Sequence, residues 1–174
     1  TLAKYATAEW DGKVDWVLGL DLAASGPLVP RRITGAFEGI RSGFPELPVE
    51  VFVRMDARGM RDRSKKLVSD FLLRHPKDKH ILIATATDSS ALGAVDAVRE
   101  QKRDKHVAIV GQDCIADAIA EMRKERSPLI ASVSHETSSY GPSLIHLGLS
   151  LLRGQTVPPY NYVEHKLVTR ESLR

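Results

Sequence analysis

Residues 80–98 read HILIATATDSSALGAVDAV, an apolar run followed by a polar turn and then an amphipathic segment. The apolar run at residues 80–86 is typical of a strand buried on both faces. Asp88, Ser89 or Ser90 can then cap a helix. The apolar positions of that helix are Leu92, Val95 and Val98. This stretch therefore predicts one buried strand that leads directly into one amphipathic helix.

The same strand-and-helix unit recurs along the chain. The predicted strands cover residues 14–20, 49–53, 80–86, 106–110 and 129–133. The predicted helices cover residues 1–10, 30–43 and 60–75, the segment after 88, and the segment after 113 with Asp113 as its cap. A last helix is preceded by Thr137 or Ser138 and ended by Gly154. A last extended stretch lies at residues 161–168. Such alternation requires crossover connections and predicts a doubly wound α/β domain, with a mostly parallel sheet and helices on both faces.

Length and composition exclude several classes of protein. With 174 residues, 43% hydrophobic and 27% charged, the chain is long enough for one domain with a sizeable core. Its net charge of +3 comes from interleaved charges that indicate solvated helix faces, so no bound nucleic acid is expected. No apolar run approaches the ~20 residues of a membrane span, so no membrane insertion is expected. The first residue is not Met, and the compartment cannot be predicted from the lack of a leader.

The chain lacks the usual signs of an enzyme or a metalloprotein. Its single cysteine, Cys114, excludes an internal disulfide, and six scattered histidines argue against a zinc framework. Neither a nucleophile elbow nor a phosphate-binding glycine loop occurs. Cys114 has no identifiable base and is expected to be a small buried thiol. We therefore expect no cofactor, no metal and no catalysis.

A polar side chain follows each predicted strand. Carboxyl ends of parallel strands meet at one edge of such a sheet, where ligands bind. Each of these side chains taken alone can instead be a helix cap or a turn former. Carboxylates accept hydrogen bonds from adjacent hydroxyls, and a sugar therefore fits this set. The residues are Asp21, Asp56, Thr87 with Asp88, Gln112 with Asp113, and His135.

Several segments carry a family resemblance. Residues 84–94, ATATDSSALGA, resemble the strand and "Asn-Asp-x-x-Ala-Leu-Gly-Ala" segment of the ribose-type periplasmic sugar-binding proteins and of the ligand domains of lac-repressor-like regulators. Four further segments resemble the family in its own order. They are RITGAF at 32–37, VAIVGQD at 107–113, IASVSH at 130–135 and LLRGQTVPP at 151–159.

The resemblance implies a Rossmann-like lobe of a two-lobed protein that clamps its ligand between the lobes. Residues 1–174 would form the C-terminal lobe, residues 156–174 would carry the last crossing and its return, and the first lobe would be absent from this chain. The implied function is the substrate-binding component of a bacterial ABC-type importer, located in the periplasm, with a sugar ligand and a membrane permease as partners. The alternative is the effector domain of a cytoplasmic transcription regulator. Strongly charged exposed faces, such as residues 61–66 and 121–126, favour the transport component.

The resemblance also implies roles for individual residues. Arg32 matches an arginine that pairs with ligand oxygens, and Asp113 matches a carboxylate that accepts from sugar hydroxyls. Thr87 and His135 stand where members have Asn and Gln, so the identity of the sugar does not transfer. The further implied ligand residues are Asp56, Met60 and Asp88. Three alternatives remain open: a helix cap for Asp88, a surface salt bridge for Arg32 and a packed imidazole for His135.

Overall fold

A computed structural model describes residues 1–173, and it confirms the predicted alternation of strands and helices. The helices are α1 (Leu2–Trp10), α2 (Arg31–Gly43), α3 (Arg61–Arg74), α4 (Asp88–Glu100), α5 (Ala116–Met122) and α6 (Tyr140–Leu152). The strands are β1 (Trp16–Asp21), β2 (Phe52–Asp56), β3 (Ile81–Thr85), β4 (Val107–Gln112), β5 (Leu129–Ser134) and β6 (Lys166–Thr169). Within the described residues, no helix has the length and apolar character needed to cross a membrane.

The strands form one sheet in the order β2-β1-β3-β4-β5-β6. The first five strands are parallel, and β6 runs antiparallel to β5 at the edge. The order reverses between β1 and β3, which is the switch point of a doubly wound sheet. The predicted fold class is therefore confirmed.

Alternate residues of the central strands pack into two separate hydrophobic cores, one on each face of the sheet. In β3, Leu82 packs with α1 and α2, whereas Ile81 and Ile83 face the opposite layer of α3, α4 and α5. All three residues are fully buried. Burial on both faces explains why these strands appear in the sequence as continuous apolar runs rather than as alternating patterns.

Helix α6 departs from the predicted arrangement. The sequence predicted it to cover the sheet with the other helices, but none of its residues is buried. Leu144 and Ile145 are each 66% exposed, and Leu152 is 85% exposed. An apolar helical pattern predicts that a helix buries a face, but it does not identify the partner. The expectation that α6 belongs to the sheet layers is therefore wrong.

The predicted solvated faces also need a correction. Arg61 of α3 binds the carboxylate of Asp96 on α4 through two hydrogen bonds of 2.7 and 3.0 Å. Glu121 was expected on a charged surface, but it is only 4% exposed and contacts Arg99 and Lys124. Burial alone would raise the pKa of Glu121; hydrogen bonds from Lys124 and Ser127, together with the charge of Arg99, outweigh burial and lower that pKa. These ion pairs link α3 to α4 and α4 to α5.

Gly93 allows α3 and α4 to approach each other closely. A Cβ atom at this position would lie 2.1 Å from the carbonyl oxygen of Arg61, which belongs to the backbone of α3 and cannot move aside easily. Gly39 of α2 is also helical, but a Cβ there would meet no atom within 4 Å. The glycine in the Ala-Leu-Gly-Ala segment therefore has a packing function.

We expect Gly93→Ala to lower the free energy of unfolding by about 2–3 kcal/mol, because the added methyl group forces two helices apart. The matched variant Gly39→Ala should instead raise it by about 0.5–1 kcal/mol through helix propensity. Urea unfolding followed by circular dichroism measures both values. Equal effects of the two substitutions would contradict the close packing of α3 on α4.

Candidate functional site

The carboxyl ends of β1 to β5 lie along one edge of the sheet, as the parallel register requires. Three of the predicted residues come together there. The Arg32 side chain, from the first turn of α2, reaches Asp113 after β4 and His135 after β5. We call Arg32, Asp113 and His135 the tip cluster.

Arg32 holds the tip cluster together through several contacts. Its Nη1 donates to the carbonyl oxygen of Ala86 at 2.7 Å and lies 3.4 Å from Oδ1 of Asp113. Its Nη2 lies 3.0 Å from Nε2 of His135. The Arg32 side chain is 26% exposed and that of Asp113 is 34% exposed. The cluster is therefore fixed by the protein, yet solvent reaches its polar groups.

The protonation state of His135 determines the balance of charge in the tip cluster. Its Nε2 also lies 3.2 Å from Oδ1 of Asp113, so the same nitrogen faces a donor and an acceptor. Burial, followed by the charge of Arg32, lowers the pKa of His135 below its ordinary value of 6.5, although Asp113 acts in the opposite direction. The imidazole is then neutral at pH 7, and Nε2 accepts from Arg32. One cation and one anion remain, and they compensate each other.

Asp113 does not cap α5, contrary to the sequence prediction. The residue at the N-cap position is Ile115, whereas Asp113 and Cys114 have positive φ angles of 110° and 53°. The amide of Asp113 donates to the carbonyl oxygen of Val133 at 2.9 Å. The Asp113 side chain therefore projects from a turn between β4 and α5.

Thr87 lies after β3, as predicted, but Thr87 rather than Asp88, Ser89 or Ser90 caps α4. The hydroxyl of Thr87 accepts from the amide of Ser90 at 3.3 Å. Asp88 is fully buried, and its carboxylate contacts Ser132 and the amide of Ile115 inside the protein. Burial, the largest effect, raises the pKa of Asp88 to about 6. Neither a helix-capping role nor direct ligand contact fits this placement of Asp88.

Asp56 and Met60 lie beyond the switch point, on the β2 side of the sheet. Oδ1 of Asp56 accepts from the amide of Arg58 at 3.1 Å, and its Oδ2 lies 3.7 Å from Nε of the same residue. Met60 precedes α3 and is 56% exposed. In the described part of the chain, neither residue has a hydrogen bond or an ion pair with the tip cluster. Their role in binding stays a prediction.

The structure adds two groups to the site that the sequence reasoning missed. The carbonyl oxygen of Ala86 anchors Arg32, and the ring of His165 packs edge-on against His135 with centroids 4.9 Å apart. A backbone carbonyl carries no residue signal, and His165 lies 30 positions beyond His135 in a segment without periodicity. Only the return of the chain into β6 brings the two rings together.

A groove of about 400 Å³ opens beside the tip cluster, on the sheet face that carries α1 and α2. Its lining includes Arg32 and Gln112, but most lining residues are apolar residues and glycines of α1, α2 and β3 to β6. Of the predicted ligand residues, all of which lie in the described part of the chain, Arg32 alone lines this groove, so the groove does not coincide with the predicted ligand site. Residues 1–173 contain no group of three or more His, Cys, Asp or Glu side chains that could hold a metal ion.

Comparisons with known proteins agree with this architecture. No protein-family model matches the chain. A D-ribose/D-allose-binding protein of Pseudomonas aeruginosa is 34% identical over 113 residues, which are 59% of this chain and 34% of that protein. The chain therefore spans about a third of the length of this curated relative.

Solved structures of the same fold match almost the whole chain. An ABC transporter periplasmic solute-binding protein from Actinobacillus succinogenes with bound D-allose has a TM-score of 0.78 at 22% identity, covering 99% of this chain and 58% of that one. A galactofuranose-binding protein has a TM-score of 0.80 at 18% identity, with coverages of 99% and 57%. A fructose-binding periplasmic domain of a hybrid two-component system has a TM-score of 0.76 at 22% identity, with coverages of 99% and 55%.

The fold is that of the periplasmic binding proteins, a six-stranded, mostly parallel α/β sheet of the Rossmann-like type. Within that class, the chain is similar in sequence to part of a ribose- and allose-binding protein and in fold to part of several sugar-binding proteins. The resemblance predicted from the sequence is therefore confirmed.

Substitution of Arg32 tests the charge balance of the tip cluster. We expect Arg32→Gln to raise the pKa of His135, because a nearby positive charge is removed, and Asp113→Asn to lower it further. The measurement is an NMR titration of the histidine ring signals. Arg31→Gln, at the exposed neighbouring position, is the control and should leave the pKa of His135 unchanged. A His135 pKa that is the same in all four proteins would contradict the contacts described above.

Proposed function

We propose that this chain binds a sugar or a similar small polar solute as part of the substrate-binding component of an ABC-type importer. The observation that carries the proposal is the tip cluster, which joins Arg32, Asp113 and His135 at the carboxyl edge of a sheet with the periplasmic binding protein fold. In this fold, ligands bind where the loops after the strands converge.

The chemistry of the tip cluster suits a neutral, hydroxylated ligand. The carboxylate of Asp113 accepts hydrogen bonds, the guanidinium of Arg32 donates them, and the two charges compensate each other. Hydroxyl groups both donate and accept, so a sugar can satisfy both kinds of group. A strongly charged ligand would leave one member of the cluster facing a like charge.

The domain proposal is that residues 1–174 form the C-terminal lobe of a two-lobed protein, with residues 156–174 as the crossing and return. The solved structures of this fold are nearly twice as long as the chain, and the chain covers 55–58% of the three described above. Helix α6 exposes leucines that no part of residues 1–173 covers. The segment after α6 leaves the sheet and returns as β6. A second lobe seated on α6 would bury this apolar surface.

In this proposal the protein binds its ligand and catalyses no reaction. Its named relatives are binding proteins and transporter subunits. The proposal includes an extracytoplasmic location and a membrane permease as partner. Closure of two lobes around a sugar would exclude water from the tip cluster, which strengthens its hydrogen bonds.

The structure also supports a second function, the effector domain of a transcription regulator. A regulator that dimerises needs exposed apolar residues on an outer helix, and α6 has them, with Leu149 45% and Leu151 56% exposed. The charged faces that favoured transport are partly paired between helices. The oligomeric state therefore distinguishes the two functions better than the charge pattern does.

Sugar binding is tested by NMR titration of the chain with D-ribose and with D-allose. We expect shift changes at Arg32, Asp113 and His135 and an affinity on the order of millimolar, because one lobe supplies only part of the contacts. Asp113→Ala should cost about 1.5–3 kcal/mol of binding free energy for each charged hydrogen bond lost.

The control for this titration is Asp117→Ala, which removes an exposed aspartate from α5 and should leave the affinity unchanged. Tight, micromolar binding by this chain alone would contradict the two-lobe proposal. Shift changes confined to residues far from the tip cluster would contradict the proposed site.

The exposure of α6 leads to a stability prediction. We expect Leu144→Gln and Leu152→Gln to change the free energy of unfolding of this chain by less than about 0.5 kcal/mol, because both side chains face solvent. Leu72→Ala, in the buried face of α3, is the control and should cost about 2–5 kcal/mol. Large losses of unfolding free energy at the α6 positions would mean that α6 packs on the sheet.

Sedimentation of the same variants tests the alternative function as a regulator. A stable dimer that Leu144→Gln abolishes would favour the regulator.

A further inference from the structure

The loop that carries Asp113 has an unusual backbone. Asp113 and Cys114 follow each other with φ angles of 110° and 53°, in a region that side-chain-bearing residues seldom adopt. Such backbone angles are unfavourable and persist only where the surrounding contacts hold them. The contacts of residues 113–115 therefore determine where the Asp113 carboxylate points.

Three successive amides of this loop donate to defined acceptors. The amide of Asp113 donates to the carbonyl oxygen of Val133 at 2.9 Å. The amide of Cys114 donates to Oγ of Ser132 at 3.2 Å. The amide of Ile115 donates to Oδ2 of Asp88 at 3.0 Å. Two of the three acceptors are therefore side chains, from β5 and from the first turn of α4.

Ser132 and Asp88 are also bonded to each other, because Oγ of Ser132 donates to Oδ1 of Asp88 at 2.7 Å. Both residues are fully buried. Gly111 leaves the space for this carboxylate, since a Cβ there would lie 2.0 Å from Oδ1 of Asp88. A buried carboxylate is unfavourable unless its oxygens are hydrogen-bonded. Here each oxygen has a partner, and both partners lead to the loop.

We infer that Asp88 and Ser132 are positioning residues, which hold residues 113–115 in the conformation that presents the Asp113 carboxylate at the tip cluster. The inference rests on the proposed function for its meaning in sugar binding, but the loop contacts exist without any ligand. Asp88 was predicted to contact the ligand directly. Here its role is indirect, because it acts through the loop that carries Asp113. Substitution of either residue should therefore release the loop and weaken sugar binding together.

Cys114 provides the reporter for this experiment, because it is the single cysteine of the chain and lies within the loop. We expect Asp88→Asn and Ser132→Ala to raise the rate of Cys114 alkylation by iodoacetamide about ten-fold, as one or two hydrogen bonds are lost. Amide hydrogen exchange at Cys114 and Ile115 should accelerate in the same variants, with little change in the β4 core.

Ser132→Ala separates loop release from simple electrostatics. Loss of the Asp88 charge would by itself lower the pKa of Cys114 and speed alkylation, whereas loss of the Ser132 hydrogen bond would by itself raise that pKa and slow it. Faster alkylation in both variants therefore reports an opened loop. Asp96→Asn, which removes a carboxylate of the same helix that pairs with Arg61 on α3, is the matched control and should leave alkylation and amide exchange at Cys114 and Ile115 as in the wild type.

Titration of the same proteins with D-ribose and D-allose completes the test. We expect at least a few-fold weaker binding by Asp88→Asn and Ser132→Ala than by Asp96→Asn. Exchange and alkylation equal to the wild type in both variants would overturn the inference. Loop release with unaltered sugar affinity would overturn its link to binding. Failure of the wild type to bind either sugar would count against those ligands and leave the loop result to decide the positioning role.

Discussion

Burial of the central strands on both faces is the constraint on which the rest of this structure depends. β1, β3 and β4 lie between two helix layers, and residues such as Leu18, Ile83 and Ile109 are fully buried. Polar side chains within these strands would need partners that two apolar layers do not offer. Polar groups therefore gather where the strands end, and the parallel direction brings those ends to one edge of the sheet.

The tip cluster shows what such an edge can assemble from distant parts of the chain. Arg32 comes from the helix after β1, Asp113 from the turn after β4, and His135 from the turn after β5. The guanidinium compensates the carboxylate, and burial together with the guanidinium charge lowers the pKa of the imidazole. The result is a set of donors and acceptors with little net charge, which is the environment that a neutral, hydroxylated ligand requires.

Helix α6 also has an apolar face, but within the described residues nothing buries that face. Its leucines follow the helical period, as those of α3 do, but α3 packs on the sheet whereas α6 has no buried residue. The apolar surface of α6 and the two exposed tyrosines Tyr160 and Tyr162 lie in the segment between β5 and β6. This contrast supports a second lobe or a second copy as the partner of α6.

The sequence by itself determined the order of the strands and helices, because hydrophobic periodicity directly records which residues avoid water. It also predicted Asp113 and His135 at one edge of the sheet, since residues after parallel strands must share that edge, whereas Arg32 was predicted from the family resemblance. It could not determine that Asp88 turns inward to hold the Asp113 loop, or that His165 returns to meet His135. Those outcomes depend on backbone angles and on residues far apart along the chain, so only the tertiary structure decided them.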